Sequence, residues 1–134
     1  MGRAPGTDEI VAVAEFRAAL RAFLRGSEQK ARRAGLTPQR YLLLLMIKGA
    51  TDGSETSTVT ELAERLQLAQ STVTELVRRA EEAGLVQREP SRSDGRVAYL
   101  HLSGEGERRL SDAFQLLETE RTSLREAFRQ FDAR

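Results

Sequence analysis

Between Thr58 and Ser103 the chain sets out two short helical patterns, a tight turn between them, and two strand patterns around a polar loop. That order leaves few folds open. Thr58 followed by Glu61 predicts a capping box, in which each side chain satisfies the other residue's free backbone N–H. Leu62, Ala63 and Leu66 then supply an apolar stripe at helical spacing, which lapses at Gln67-Leu68. A second helix carries Val73, Leu76, Val77, Ala80 and Ala83 on one face and is stopped by Gly84. A short helix, a turn and a longer helix make a helix-turn-helix. Leu85-Val86 starts a strand, Pro90 to Arg96 has turn chemistry, and Val97 to Leu102 alternates, with Ala98, Leu100 and Leu102 on the face expected to be buried. The two strands make the reading a winged helix, with Arg88, Arg92 and Arg96 on or near the wing loop.

The residues Glu61-Leu62-Ala63, Ser71-Thr72-Val73-Thr74 before Gly84-Leu85-Val86, and Asp94-Gly95-Arg96 before Leu100-His101-Leu102-Ser103 together resemble the MarR family of bacterial transcription regulators. The most specific part is the Asp-x-Arg wing motif with the Leu-x-Leu-Ser that follows it. The resemblance runs from about Gly35 to Gly106 and is generic in the flanking helices. It implies a second helix that enters the major groove of DNA and a wing arginine that reaches the minor groove or its phosphates. Two departures stand out. Ala69 sits where a Ser or Thr cap is usual, a loss worth about 1 kcal/mol, so the helix is expected either to go uncapped or to begin later, at Thr72 with Glu75. Glu75 stands on the exposed face where the family often has a basic residue. A carboxylate there repels phosphate unless it accepts from a cytosine amine or pairs with Arg78 or Arg79.

Charge sharpens this tension. Lys and Arg number 21 against 20 Asp and Glu, a net charge of +1, and Thr58–Leu102 holds six Arg and seven acidic residues. Nucleic-acid binders usually carry a basic stripe, so the expectation is modest, salt-dependent affinity concentrated on the wing, with Lys30, Arg32 and Arg33 as a second basic group. With no cysteine, a disulfide scaffold, a thiolate metal site and a thiol redox sensor are all excluded. A single His argues against a His-rich zinc site. The sequence holds no Gly-rich phosphate loop and no catalytic triad, and His101 near Ser103 lacks a third group, so neither an enzyme nor a cofactor is expected. No apolar run reaches the roughly 20 residues of a spanning helix. The N-terminus lacks an export pattern, and a cytoplasmic protein without membrane contact is the expectation.

The 134 residues suit a single domain. Met1 to Thr7 lack periodicity and are expected to be disordered. From Asp8 an apolar face of Ile10, Val13, Phe16, Leu20, Phe23 and Leu24 predicts a helix whose pattern fades through Gly26 and the polar run Ser27 to Arg33. Thr37-Pro38 starts a helix, Arg40 to Lys48, that is apolar on nearly every side and belongs inside the fold. STVTEL occurs at Ser57–Leu62 and again at Ser71–Leu76; both copies read as helix starts rather than as duplicated units. After Ser103, Leu110, Phe114, Leu117, Arg121, Leu124, Phe128 and Phe131 form a heptad stripe with one charged interruption, and without Gly or Pro after Glu107 a single long helix is expected.

The fold class is therefore mainly α with a small β wing: residues 37–103 as a winged-helix lobe, and residues 8–34 and 104–132 as helices that bury their stripes in a symmetric homodimer. Packing of those two stripes on each other within one chain is the alternative. Candidate DNA-contacting residues are Gln70, Ser71, Thr72, Thr74, Glu75 and Arg78 on the outward face of the second helix, with Arg92, Asp94 and Arg96 on the wing. The bland alternatives are a solvated helix face and an ordinary Asp-Gly turn. The resemblance also implies a small aromatic or anionic effector near Arg40 and Tyr41, against the plainer expectation that Tyr41 is core and Arg40 solvated. The function expected is a regulator, of the repressor class, that binds a pseudo-palindromic double-stranded operator and is released by an effector. The rival is a winged helix used for protein–protein assembly.

Overall fold

Three helix starts are fixed by side chains that accept from the backbone N–H three residues on. Thr37 Oγ1 accepts from Arg40 at 3.2 Å, Thr58 Oγ1 from Glu61 at 3.2 Å, and Ser103 Oγ from Gly106 at 3.0 Å. Glu61 returns the bond, its carboxylate accepting from the Thr58 N–H at 2.9 Å, which completes the capping box. Around these anchors the computed structural model describes residues 2–133. Its elements are α1 (Thr7–Arg33), α2 (Pro38–Lys48), α3 (Val59–Leu66), α4 (Gln70–Glu82), β1 (Val86–Pro90), β2 (Ala98–Leu102), α5 (Gly104–Leu116) and α6 (Glu118–Asp132). The mainly helical architecture with a two-stranded wing is as expected from the sequence. Of the expected N-terminal disorder, Met1 lies outside the described residues, residues 2–6 are irregular, and Thr7 is already helical.

α2 is the hub. Leu43, Leu44 and Ile47 are fully buried against Leu62 of α3, Val73 and Val77 of α4 and Leu100 of β2, each contributing about 1.5–3 kcal/mol by burial. The helix is less enclosed than its composition predicts, since Leu42 keeps 42% of its surface exposed. β1 and β2 pair antiparallel with Val86 opposite Leu102 and Arg88 opposite Leu100. Leu100 and Leu102 face the core while Tyr99 faces out, as alternation requires. Ser57, before α3, adds a third rung: its N–H donates to Leu100 O at 3.1 Å and its carbonyl accepts from Leu100 N–H at 2.8 Å. Gly84 ends α4 at φ +76°, where a side chain is disfavoured.

α1 runs to Arg33, in keeping with the helix expected over residues 8–34, and its polar run has a buried face of small residues, with Ser27 and Ala31 packed inside. One sequence expectation is corrected: the C-terminal segment is not one helix. It breaks at Leu117 (φ −95°, ψ 5°), which is itself buried in the core. Here the charged interruption of the heptad stripe finds its use. The Arg121 guanidinium donates to the Phe114 carbonyl at the break and lies 3.7 Å over the Phe114 ring, so the break is capped without Gly or Pro. The terminal stripes meet in the way given above as the alternative to burial in a homodimer. α1 and α6 pack on each other within the chain, Phe16 lying 6.1 Å from Phe128 and 5.0 Å from Phe131 between ring centroids. That packing is incomplete: Ile10, Val13, Leu24 and Phe128 each remain about half exposed.

Candidate nucleic-acid interface

α4 begins at Gln70 with Ala69 as its cap residue in an extended conformation (φ −64°, ψ 147°), and no side chain accepts from its first N–H groups. The later start at Thr72 is therefore corrected: Thr72 lies inside the first turn. The same geometry separates the two STVTEL copies. In the first copy Thr58 is a cap, whereas in the second Ser71 and Thr72 are already helical, so only the first is a helix start.

Val73, Val77 and Ala80 anchor α4 to the core and leave Gln70, Ser71, Thr72, Thr74 and Arg78 exposed and Glu75 half-buried. The six candidates on this helix therefore share its outward side. Their charges are not free. Glu75 Oε2 accepts from Arg78 Nε at 2.9 Å, while its Oε1 accepts from Arg78 Nη2 and from Arg79 Nε at 3.1 Å. Arg78 Nη1 also donates to Glu82. The Arg78 guanidinium, more than that of Arg79, holds the Glu75 carboxyl down to about 2, and the Arg78 pKa is raised in return. Glu75, Arg78, Arg79 and Glu82 thus form an exposed quartet of zero net charge. One turn on, Glu81 accepts from Arg88 of β1 at 2.7 and 3.2 Å and ties the end of α4 to the root of the wing.

The wing tip is organised by two polar side chains. Ser91 Oγ accepts from the N–H groups of Ser93 and Asp94, both at 3.3 Å, and Asp94 Oδ1 accepts from the Arg96 N–H at 3.0 Å. Asp94 reaches the Arg96 guanidinium only at 3.5 Å, and that side chain is 94% exposed. Arg92 has no carboxylate partner among the described residues. The wing therefore presents exposed, weakly committed cations, and α4 presents a neutral hydrogen-bonding face.

Arg40 and Tyr41 do not converge. Tyr41 is 6% exposed; burial raises its hydroxyl pKa, opposed by a hydrogen bond with Ser27 and by the nearby Arg121 charge. Arg40 is half-buried in the first turn of α2. Sequence reasoning missed Arg65, whose Nη1 donates to the carbonyls of Met46 and Gly49, both at 3.1 Å, and so caps the end of α2. It also missed the pair Lys30–Glu120, which joins α1 to α6. Of the partners expected for Glu75, both Arg78 and Arg79 are found, at i,i+3 and i,i+4 spacing. Among the described residues no cluster of His, Cys, Asp or Glu is arranged to hold a metal, and no helix is long and apolar enough to cross a membrane.

A helix-turn-helix followed by a two-stranded wing defines a winged helix-turn-helix protein. Residues 34–97 match the model of the MarR family, so the winged-helix segment is similar to that family's members. A search of curated protein sequences finds no match. Solved structures share the fold. A mutant MarR from E. coli complexed with operator DNA is 20% identical with a TM-score of 0.67, covering 90% of this chain and 85% of that one. AbsC, a MarR family transcriptional regulator from Streptomyces coelicolor, is 22% identical with a TM-score of 0.67, over 96% and 84%. YusO from Bacillus subtilis is 22% identical with a TM-score of 0.64, over 88% and 82%.

Proposed function

We propose that the chain is a homodimeric repressor that binds a pseudo-palindromic operator and is released by a small aromatic or anionic effector. The observation that carries the DNA reading is the division of labour between α4 and the wing. The outward side chains of α4, Gln70 to Arg78, are polar and unburied, while Arg92 and Arg96 stand on a loop fixed by its own hydrogen bonds. In this reading α4 lies in the major groove, and the wing arginines meet phosphates or a narrow minor groove. The family's operator-bound relative supports it. The half-exposed Ile10, Val13, Leu24 and Phe128 support a second copy docked on the terminal helices, since such apolar surface is costly left in water. Release follows if an effector lodges between the terminal helices and the winged lobe, where Tyr41, Ser27 and Arg121 meet, and changes the separation of the two α4 helices.

One observation favours a second reading. Arg78, Arg79 and Arg88 each already hold a carboxylate, which suits a protein–protein surface with a neutralised DNA face. An electrophoretic shift with the DNA flanking the chain's own gene, followed by footprinting, separates the two. The regulator protects two half-sites whose centres lie about 10 base pairs apart, as expected of two helices related by a two-fold axis. Protection of an isolated half-site at saturating protein contradicts the dimer. No shift at low salt leaves assembly as the function.

A further inference from the structure

We propose that Glu75 is a base-reading residue that selects a cytosine at one position of each half-site, by accepting a hydrogen bond from the cytosine N4 amine in the major groove. This rests on the placement of α4 in that groove. It goes further by naming the base and the atom.

The geometry is specific. Glu75 lies in the N-terminal half of α4, the half that meets base edges in helix-turn-helix complexes, on the same outward side as Ser71 and Thr74. A carboxylate offers about four acceptor positions. Three are taken, one on Oε2 and two on Oε1, by Arg78 and Arg79. One acceptor position on Oε2 remains, held in a fixed direction by the guanidinium that grips the same oxygen. A lone acceptor of fixed direction suits an amine donor. It is repelled by the O4 of thymine and by the O6 and N7 of guanine, which are themselves acceptors. Adenine also offers an amine, but beside its N7 acceptor, which a carboxylate cannot satisfy.

Charge points the same way. The quartet Glu75, Arg78, Arg79 and Glu82 sums to zero, so this face adds little to the phosphate attraction that drives non-specific binding. Its two guanidiniums orient the carboxylate instead of bidding for the backbone. Ordinary helix-surface ion pairing is the plain alternative, and Glu82 provides the control. Its carboxylate touches the same Arg78 but lies seven residues on, about 10 Å along the helix, which is roughly three base steps away. Removing the Glu82 charge relaxes the same arginine without touching the same base.

The experiment is in vitro selection from a random-sequence duplex library with the full chain, as wild type and as E75A, E75Q and E82Q. The wild-type motif is expected to contain cytosine at one fixed position per half-site. E75A should lose that preference by about tenfold and keep the rest of the motif. E75Q should move it toward adenine, because a Gln amide both accepts from N6 and donates to N7. E82Q should retain cytosine while binding random duplex more tightly. A wild-type motif without that cytosine, an E75A motif identical to wild type, or loss of cytosine in E82Q overturns the proposal while leaving DNA binding intact. If wild type enriches no duplex at all, the regulator reading falls with it.

Discussion

Replacing Arg96 by Ala tests the wing, on which the DNA reading depends most. Arg96 has a 94% exposed side chain and a carboxylate only at 3.5 Å, so it is free to exchange solvent for phosphate at little cost. With Arg92, which has no carboxylate partner among the described residues, the proposed dimer would bring four such cations to DNA, whereas the α4 arginines would arrive already neutralised. Four phosphate contacts predict a slope of about −3.6 in log K against log salt, which is about a 150-fold loss of affinity from 50 to 200 mM salt. R96A removes a contact from each wing and should leave a slope of about −1.8, about a 12-fold loss over the same range. Because the contact carries little sequence information, specific and random duplex should weaken together. D94A should cost less, since Asp94 is bonded chiefly to the Arg96 backbone at 3.0 Å, and should add little once Arg96 is gone. Fluorescence anisotropy across a salt series, on the double-mutant cycle, reads all three. An unchanged slope in a folded R96A dimer refutes the reasoning and makes the wing a turn.

Two further predictions concern the scaffold. A Cβ at Gly106 would sit 2.2 Å from the Leu85 carbonyl oxygen, the atom that accepts from the Ser103 N–H, so G106A should force β1 and α5 apart and cost about 1–3 kcal/mol in urea unfolding; an unchanged midpoint contradicts it. Lys30 holds the Glu120 carboxyl below its usual range, so the pair's stabilisation is present above the unfolded carboxyl pKa of about 4.3 and is lost as pH falls through the lower folded value; E120Q should flatten that acid limb in urea midpoints, and a limb parallel to wild type would rule the pair out as its source.

What the sequence made legible was local. The Thr58–Glu61 box, the stop at Gly84, the alternation of Ala98 to Leu102 and the Ser103 cap are each written within a few residues, and each is where expected. The pairing of Glu75 with both arginines was open to the i,i+3 and i,i+4 rule. The break at Leu117 was not. It depends on the burial of Leu117 in one packing unit and on Arg121 folding back over Phe114, neither of which leaves a trace in spacing. The burial of Ser27 and Ala31 was equally silent, although the helix that carries them was expected to reach residue 34. The departure at Ala69 has its own consequence: α4 starts without a side-chain cap, so its first N–H groups stay available to water or to a phosphate.

Leu117 also has a mechanical meaning. The backbone ladder is interrupted there, α5 is held by the winged lobe through Leu110 and Ala113, and α6 is held by α1. The two are levers on a common pivot. Fifteen residues of α6 give an arm of about 22 Å, so a tilt of about ten degrees moves its far end by about 4 Å while α5 stays seated. Phe128 and Phe131 ride on that far end. Movement there is geared down on its way to the pivot, and a small adjustment at the pivot is geared up on its way out.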